Sequence, residues 1–428
     1  MLESSTISQL CDLLHREVVL ATGCTEPGAV ALCVAKCCET LGEDPIQIEL
    51  FLSKNVFKNA MGVGIPGTGM IGLPIAVAMA VTSGDSSRQL EVLNLSDQQV
   101  EAAKKWLANN SERIHIAVKD SVDKLYIECV CKSSSNKART VISGRHTNFT
   151  VVERNGNMVA MPAGQCEDSA PAANVVSNQP ALNERLVYDF ATTAPIEDLR
   201  FIREAVKYNV AASVEGLKGY GLNAGRILME NASGDVVHTV VARTVAASDA
   251  RMDGCTLPVY SNSGSGNQGI ACTLPVYEYG MCKGIDDDTI TRALILAHLT
   301  SIYVKQGIGR LSALCGIVNA SIGVSAGLVY LQGGSFEQIS FAVKNLINTI
   351  AGMVCDGAKP SCALKMSTGL YSAFVSAELA CHNYVVDATD GLSERDIDLS
   401  IHNLGRLGHD GMDQTDDIVL DIMTHKQS

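Results

Sequence analysis

Apolar positions along the chain follow three successive rhythms. Leu10, Leu13, Leu14, Val18 and Val19 fall at helical spacing and predict a first helix over residues 7–20. A Gly-Cys-Thr-Glu-Pro turn at 23–27 interrupts it, and the Ala-, Val- and Cys-rich stretch 28–41 predicts a second helix. From residue 45 the period shortens. Segments 46–52, 114–118, 125–130, 138–142 and 149–152 alternate or are β-branched, so they read as strands. Between them, 96–107 is amphipathic, with Ser96 as the expected N-cap and Gln98 and Gln99 beside it. From residue 183 onward helix-length periodicity returns, over 196–208, 287–306, 335–355 and 368–381.

The pattern predicts an α+β fold: a large, mainly helical domain formed by 1–44 and 176–428, with a smaller α/β lobe, 45–175, inserted in it. The polar segment 164–183, with two prolines, reads as a linker or crossing strand. Two uncharged runs, 311–331 and 61–82, are as long as a membrane span. A polytopic membrane protein built from small-residue helices is therefore the alternative of another class. Against it, neither run has aromatic belts or basic flanking loops. Such helices also suit the centre of a large helical core, where every side is buried.

Composition narrows the class. A formal charge of −13 without a Lys/Arg stripe speaks against a nucleic-acid partner. Fifteen cysteines are an odd number, and the opening Met-Leu-Glu-Ser-Ser-Thr has neither a basic nor an apolar leader region. A reducing, cytoplasmic setting with free thiols is expected instead of a disulfide framework.

Three of those cysteines carry the sharpest chemical signal: Cys315, and the pair Cys355 and Cys362 separated by six residues. Three thiolates can hold three corners of a [4Fe–4S] cubane and leave the fourth iron open to substrate. A structural zinc site would want four ligands in closer pairs. The competing reading is three buried free thiols. Cys24 lies just before a predicted helix, where the macrodipole favours a thiolate that could act as base or nucleophile; the competing reading is a packed helix entry. The loop Ser261-Asn262-Ser263-Gly264-Ser265-Gly266-Asn267-Gln268-Gly269 offers a dense set of backbone N–H groups and short donors, suited to a carboxylate or phosphate, or else forms a flexible surface loop. The hexapeptide Cys-Thr-Leu-Pro-Val-Tyr occurs on both sides of this loop, at 255–260 and 272–277, too short a repeat to imply a solenoid.

The glycine run 62–69 reads as a tight turn before a phosphate loop, and the acidic run 408–417 as a turn closing the site. His146, His298, His382 and His402 read as structural. Lys359 or Lys365 would be the Schiff-base candidate of a pyridoxal-phosphate lyase, but neither stands in a phosphate-binding context.

Together, Gly-Cys-Thr-Glu-Pro at 23–27, Ser-Gly-Ser-Gly-Asn-Gln-Gly at 263–269, Cys-Gly at 315–316 and Cys-Asp-Gly-Ala-Lys-x-x-Cys at 355–362 resemble the iron–sulfur-dependent L-serine dehydratase α-chain and L-cysteine desulfidase superfamily, in its bacterial UPF0597-type branch. The resemblance runs over nearly the whole chain. It implies a [4Fe–4S] cluster held by Cys315, Cys355 and Cys362, and Cys24 as the catalytic base. Thr25, Glu26 and Ser261 through Gln268 are the expected substrate-binding residues. The implied reaction is β-elimination of L-cysteine to sulfide, pyruvate and ammonia, or of L-serine to pyruvate and ammonia. The expected partners are a small amino acid and, if the chain self-associates, a second copy as a homodimer; no nucleic acid or membrane is expected.

Overall fold

The computed structural model describes residues 2–159, 181–309 and 311–425. It is an α+β fold with two buried cores, one made by the lobe and one by the helices.

The chain opens with α1 (Ser4–Glu17), whose Leu10, Leu13 and Leu14 are buried. The helix stops three residues short of expectation because Leu20–Ala21 (β1) pairs with a strand far along the chain. After the Gly23–Cys24 turn comes α2 (Thr25–Leu41), buried from Pro27 to Ala35 and closed by Gly42 in the left-handed region (φ 72°). The lobe's sheet takes shape around β2 (Gln47–Leu52), in which Ile48, Leu50 and Leu52 alternate inward. The expected apolar run 61–82 is no span: Gly64–Ile65 (β3) and Met70–Ile71 (β4) form a tight hairpin, and a helix begins only at Leu73. The sheet is completed by β5 (Ile114–Val118), β6 (Tyr126–Lys132), β7 (Lys137–Ser143), β8 (Phe149–Arg154) and β9 (Asn157–Met158). Its order is β5-β2-β6-β7-β8-β9, with only the β2–β5 pair parallel. Lys54–Ala60 (α3), Leu73–Ser83 (α4) and Asp97–Asn110 (α5) complete this unit, and Ser96 is the N-cap of α5 as expected, here through reciprocal bonds with Gln99.

One boundary differs from expectation. The buried residues of α2 belong to the core of the lobe, together with the sheet and α4, while α1 belongs to the helical core. The division between cores therefore falls at the Cys24 turn and not at residue 44. The expected boundary near 176 and most of the 164–183 segment lie outside the described residues.

The helical domain opens with α6 (Glu184–Thr193), α7 (Ile196–Leu199) and α8 (Arg203–Gly216); the helix expected over 196–208 is broken by a 3-10 turn at Arg200–Ile202. Ala224–Glu230 (α9) and Val236–Met252 (α10) lead to Val259–Tyr260 (β10), the partner of β1. The domain's centre consists of α11 (Gly266–Cys282), α12 (Asp287–Ile308), α13 (Gly316–Leu331), α14 (Phe336–Ile350) and α15 (Cys362–Cys381), with α16 (Ile397–Arg406) and α17 (Asp413–Thr424) at the end. α13 is buried continuously from Ile317 to Val329 and packs against α11, α12, α14 and α15. Gly323 makes this closeness possible: a Cβ there would sit 2.1 Å from the Ala297 carbonyl of α12. Among the described residues no helix is long and apolar enough to cross a membrane, so the polytopic alternative is set aside. The uncharged pattern of 311–331 reflects the burial of α13 on every side.

Candidate active site

Where the two cores meet, a cavity of about 130 Å³ collects residues separated by more than 300 positions in sequence. Cys24, Thr25 and Glu26 line it from one side, and Ser263, Gly264, Ser265, Asn267 and Gln268 from another. Cys315, Cys355 and Cys362 complete the wall.

The local structure explains how these residues arrive together. Four helices begin at this wall: α2 after its N-cap Cys24, α11 after Ser265, α13 after Cys315, and α15 at Cys362. Each start carries first-turn N–H groups without intrahelical acceptors and the positive end of a helix dipole. Four such ends directed at one space favour anionic groups there. The Cys315 and Cys355 segments are joined as a short ladder, with Cys315 N–H donating to Met353 O (2.9 Å) and Cys355 N–H to Ala313 O (2.7 Å). This pairing ends the helix expected over 335–355 at Ile350 and releases the Cys355 loop toward the cavity.

The Cys355 loop is secured from below. Lys58 of α3, 1% exposed, donates to Cys355 O (3.1 Å) and forms an ion pair with Asp416 of α17. Asn55 donates to the other Asp416 oxygen (2.8 Å). Gly357 (φ 91°) packs its Cα against Lys58, where a Cβ would be 2.2 Å from the Lys58 carbonyl. At Asp356, burial works against the carboxylate, but bonds from Lys365 and Lys359 outweigh it and pull its pKa down to about 2.

The glycine-rich loop is rigidly supported, not a flexible surface turn. Ser261 is buried and donates to Val19 O (2.8 Å), while Asn262 donates to both Nδ1 and the carbonyl of His298. Burial drives His298 down to a pKa of about 3, so it is a neutral bridge, with Nε2 3.1 Å from the Thr273 hydroxyl. Ser261, Asn262 and Gly266 support the loop and are not among the residues that line the cavity. Thr25 Oγ1 donates to Gly264 O (3.0 Å) and ties the Cys24 turn to this loop. Gln268 accepts from Asn319 Nδ2 (2.7 Å), and Gly316 leaves room for its amide. Glu26 accepts from Asn59 (3.1 Å) and lies 4.0 Å from His146 Nε2, which also lines the cavity in contrast to its expected structural role.

Arg251, at the end of α10, escaped the sequence reading. Its guanidinium lines the cavity, donates to Gly23 O (3.0 Å) and reaches Asn267 Oδ1 (3.4 Å), while its Nε has no hydrogen-bond acceptor among the described residues. Gly266 is required beside it, since a Cβ would be 2.1 Å from Nε. The signal was there: one Arg ending a buried run of Ala, Val and Ser. At Cys24 the helix start alone was expected to favour ionisation. Burial instead raises the thiol to about 11, and Arg251 is the chief influence in the other direction.

Cys315, Cys355 and Cys362 are free thiols, the first buried and the others partly so. They are not among the sets of sulfurs lying within 4.8 Å of one another, so they are not gathered around a single ion. In a cubane each thiolate takes a different iron, and a wider spacing around a shared cavity is what that cluster needs.

A family model described as "Serine dehydratase alpha chain" matches residues 87–421. A UPF0597 protein of Phocaeicola vulgatus is 49% identical over 427 residues, covering 98% of each chain. One of Bacteroides thetaiotaomicron is 48% identical over 434 residues, covering 100% of this chain and 99% of its own. One of Oleidesulfovibrio alaskensis is 44% identical over 428 residues, covering 98% of each.

Proposed function

Given that the chain belongs to the serine dehydratase alpha-chain family, we propose that it is an iron–sulfur-dependent lyase that removes the β-substituent of a small L-amino acid, with L-cysteine as its substrate. The observation that carries this reading is the single cavity shared by Cys24, Arg251 and the three cysteines of the far wall.

Cys315, Cys355 and Cys362 would hold a [4Fe–4S] cluster, which when bound supplies an iron without a protein ligand, a Lewis acid for the leaving sulfur. The other roles belong to the chain itself. Arg251 and the N–H groups opening α11 offer positive charge and donors to the substrate carboxylate. Glu26 gives the α-ammonium an acceptor on the Cys24 side. Cys24 Sγ takes the α-proton, and the guanidinium beside it offsets part of the burial penalty on its thiolate. The Cβ–S pair leaves with sulfur as the Cα–H pair becomes the double bond. The released aminoacrylate tautomerises and hydrolyses to pyruvate and ammonia. Sulfur is favoured over oxygen as the leaving atom because a soft thiolate suits iron better and is the weaker base.

The test is side-by-side kcat/KM for L-cysteine and L-serine on the anaerobically reconstituted protein. Faster sulfide and pyruvate release from cysteine, lost in Cys24→Ala with iron content unchanged, supports the reading. A higher value for serine assigns the same site to dehydration. Turnover persisting in Cys24→Ala removes that residue as the base.

A further inference from the structure

A second group of thiols lies in the other core, away from the cavity. Cys37, Cys129 and Cys131 are fully buried, and their sulfurs all lie within 4.8 Å of one another. Cys129 and Cys131 alternate on β6 and so share one sheet face, which is the face α2 packs against. Their sulfurs are 3.6 Å apart. Cys38, partly exposed on α2, places its sulfur 3.9 Å from that of Cys131. Around this group the lobe's core is filled by Ile, Leu, Val and Ala.

We propose that Cys37, Cys129 and Cys131 form a three-sulfur binding site for a thiophilic d10 cation of the zinc class, with Cys38, beside Cys131 but outside that mutually close set, turning in as the fourth ligand. A tetrahedron with metal–sulfur bonds of about 2.3 Å has sulfur–sulfur edges of roughly 3.8 Å. Cys129–Cys131 at 3.6 Å and Cys38–Cys131 at 3.9 Å match two of its six edges, and Cys37, Cys129 and Cys131 lie within 4.8 Å of one another. An all-sulfur donor set selects soft cations over magnesium or calcium. On binding, each ligating thiol gives its proton to solvent. Cys38 provides the route from the surface.

The consequence reaches the cavity. α2 carries Cys24 at its N-cap and Cys37 and Cys38 in its last turns. A cation joining those turns to β6 would anchor the helix that aims Cys24.

The test uses Cys315→Ala/Cys355→Ala/Cys362→Ala, so that the active-site cysteines cannot answer, titrated anaerobically with Co2+ and then Zn2+. One equivalent of Co2+ giving intense sulfur-to-cobalt charge transfer and tetrahedral d–d bands, displaced by Zn2+ and lost in the added Cys129→Ser/Cys131→Ser, is the expected result. Should that last variant fail to fold, Cys38→Ser serves, and should shift the d–d bands while far-ultraviolet circular dichroism stays unchanged. Absence of charge-transfer absorption in the folded parent overturns the proposal and leaves the thiols as packed core residues. A proposed lyase activity lost or kept does not enter this readout.

Discussion

Replacing Lys58 by Met tests whether a buried ion pair holds the Cys355 loop. Met retains most of the stem's volume and removes the charge, so packing is largely preserved. Two losses follow. Asp416, only 10% exposed in its side chain, keeps Asn55 but loses its cation. Breaking a buried pair from one side costs about 3–5 kcal/mol, and partial exposure of Asp416 points to the lower end. The Cys355 carbonyl also loses its 3.1 Å donor, at about 1–3 kcal/mol if water cannot replace it. The expected destabilisation is therefore about 4 kcal/mol. Lys58→Met/Asp416→Leu removes the stranded charge and should recover at least ~2 kcal/mol, since apolar replacement of a whole buried pair is often near neutral. Urea unfolding of the metal-free protein gives both numbers as a double-mutant cycle. Iron and sulfide content after reconstitution gives a second readout: both variants lack the bond to Cys355, so both should load less cluster even where stability recovers. A Lys58→Met protein within ~1 kcal/mol of wild type, with full iron content, refutes the argument that Lys58 positions this loop.

Glu184 is wholly buried, accepts from Thr300 Oγ1 (2.7 Å) and is raised by burial from its ordinary 4.5 to about 7. The folded state thus holds its proton where the unfolded state has released it. Stability should fall by roughly 3 kcal/mol as pH rises from about 4.5 to 7, then level off, and Glu184→Gln should lose that component in urea titrations at pH 5 and 8. Arg251→Met should lower kcat/KM by about 10–100-fold, the equivalent of one lost charge-assisted bond, with the iron content of the protein retained; unchanged kinetics would take Arg251 out of substrate binding. Gly316→Ala puts a Cβ 2.4 Å from Gln268 Nε2 and should force the Asn319–Gln268 bond apart. A loss of about 1–3 kcal/mol in denaturant is expected, and a change under ~0.5 kcal/mol would show that Gln268 has another place to go.

Much of the lobe was legible because its strands are β-branched or, as in β2, alternate, and because Ser96 and Gln99 spell their cap locally. The cavity's cysteines were legible through motif spacing. What stayed hidden depends on contacts far apart in sequence. The repeated Cys-Thr-Leu-Pro-Val-Tyr is the clearest case. At 255–260 it ends in β10, paired with β1 and held by Asn209 on both Tyr260 backbone groups. At 272–277 the same six residues are α-helical in α11, with Pro275 inside the helix. Identical local propensities give two conformations, so tertiary packing decides both. Likewise nothing near Lys58 in sequence announces Asp416, and nothing near Arg251 announces Gly23 and Asn267. The Cys-Cys and Cys-x-Cys pairs at 37–38 and 129–131 become one cluster only after α2 lies across β6.

That the cavity draws its walls from both cores has a further consequence. Cys24 belongs to the lobe's core, Cys315 and Cys355 go with the helical core, and Cys362, at the start of α15, packs against the lobe's core, so neither core holds a complete site. Competence is a property of docking. Treatments that loosen the two units without unfolding either should silence turnover and, because Lys58 of the lobe holds the Cys355 carbonyl, also weaken cluster retention, and a substrate that touches both walls should act as a clasp between them.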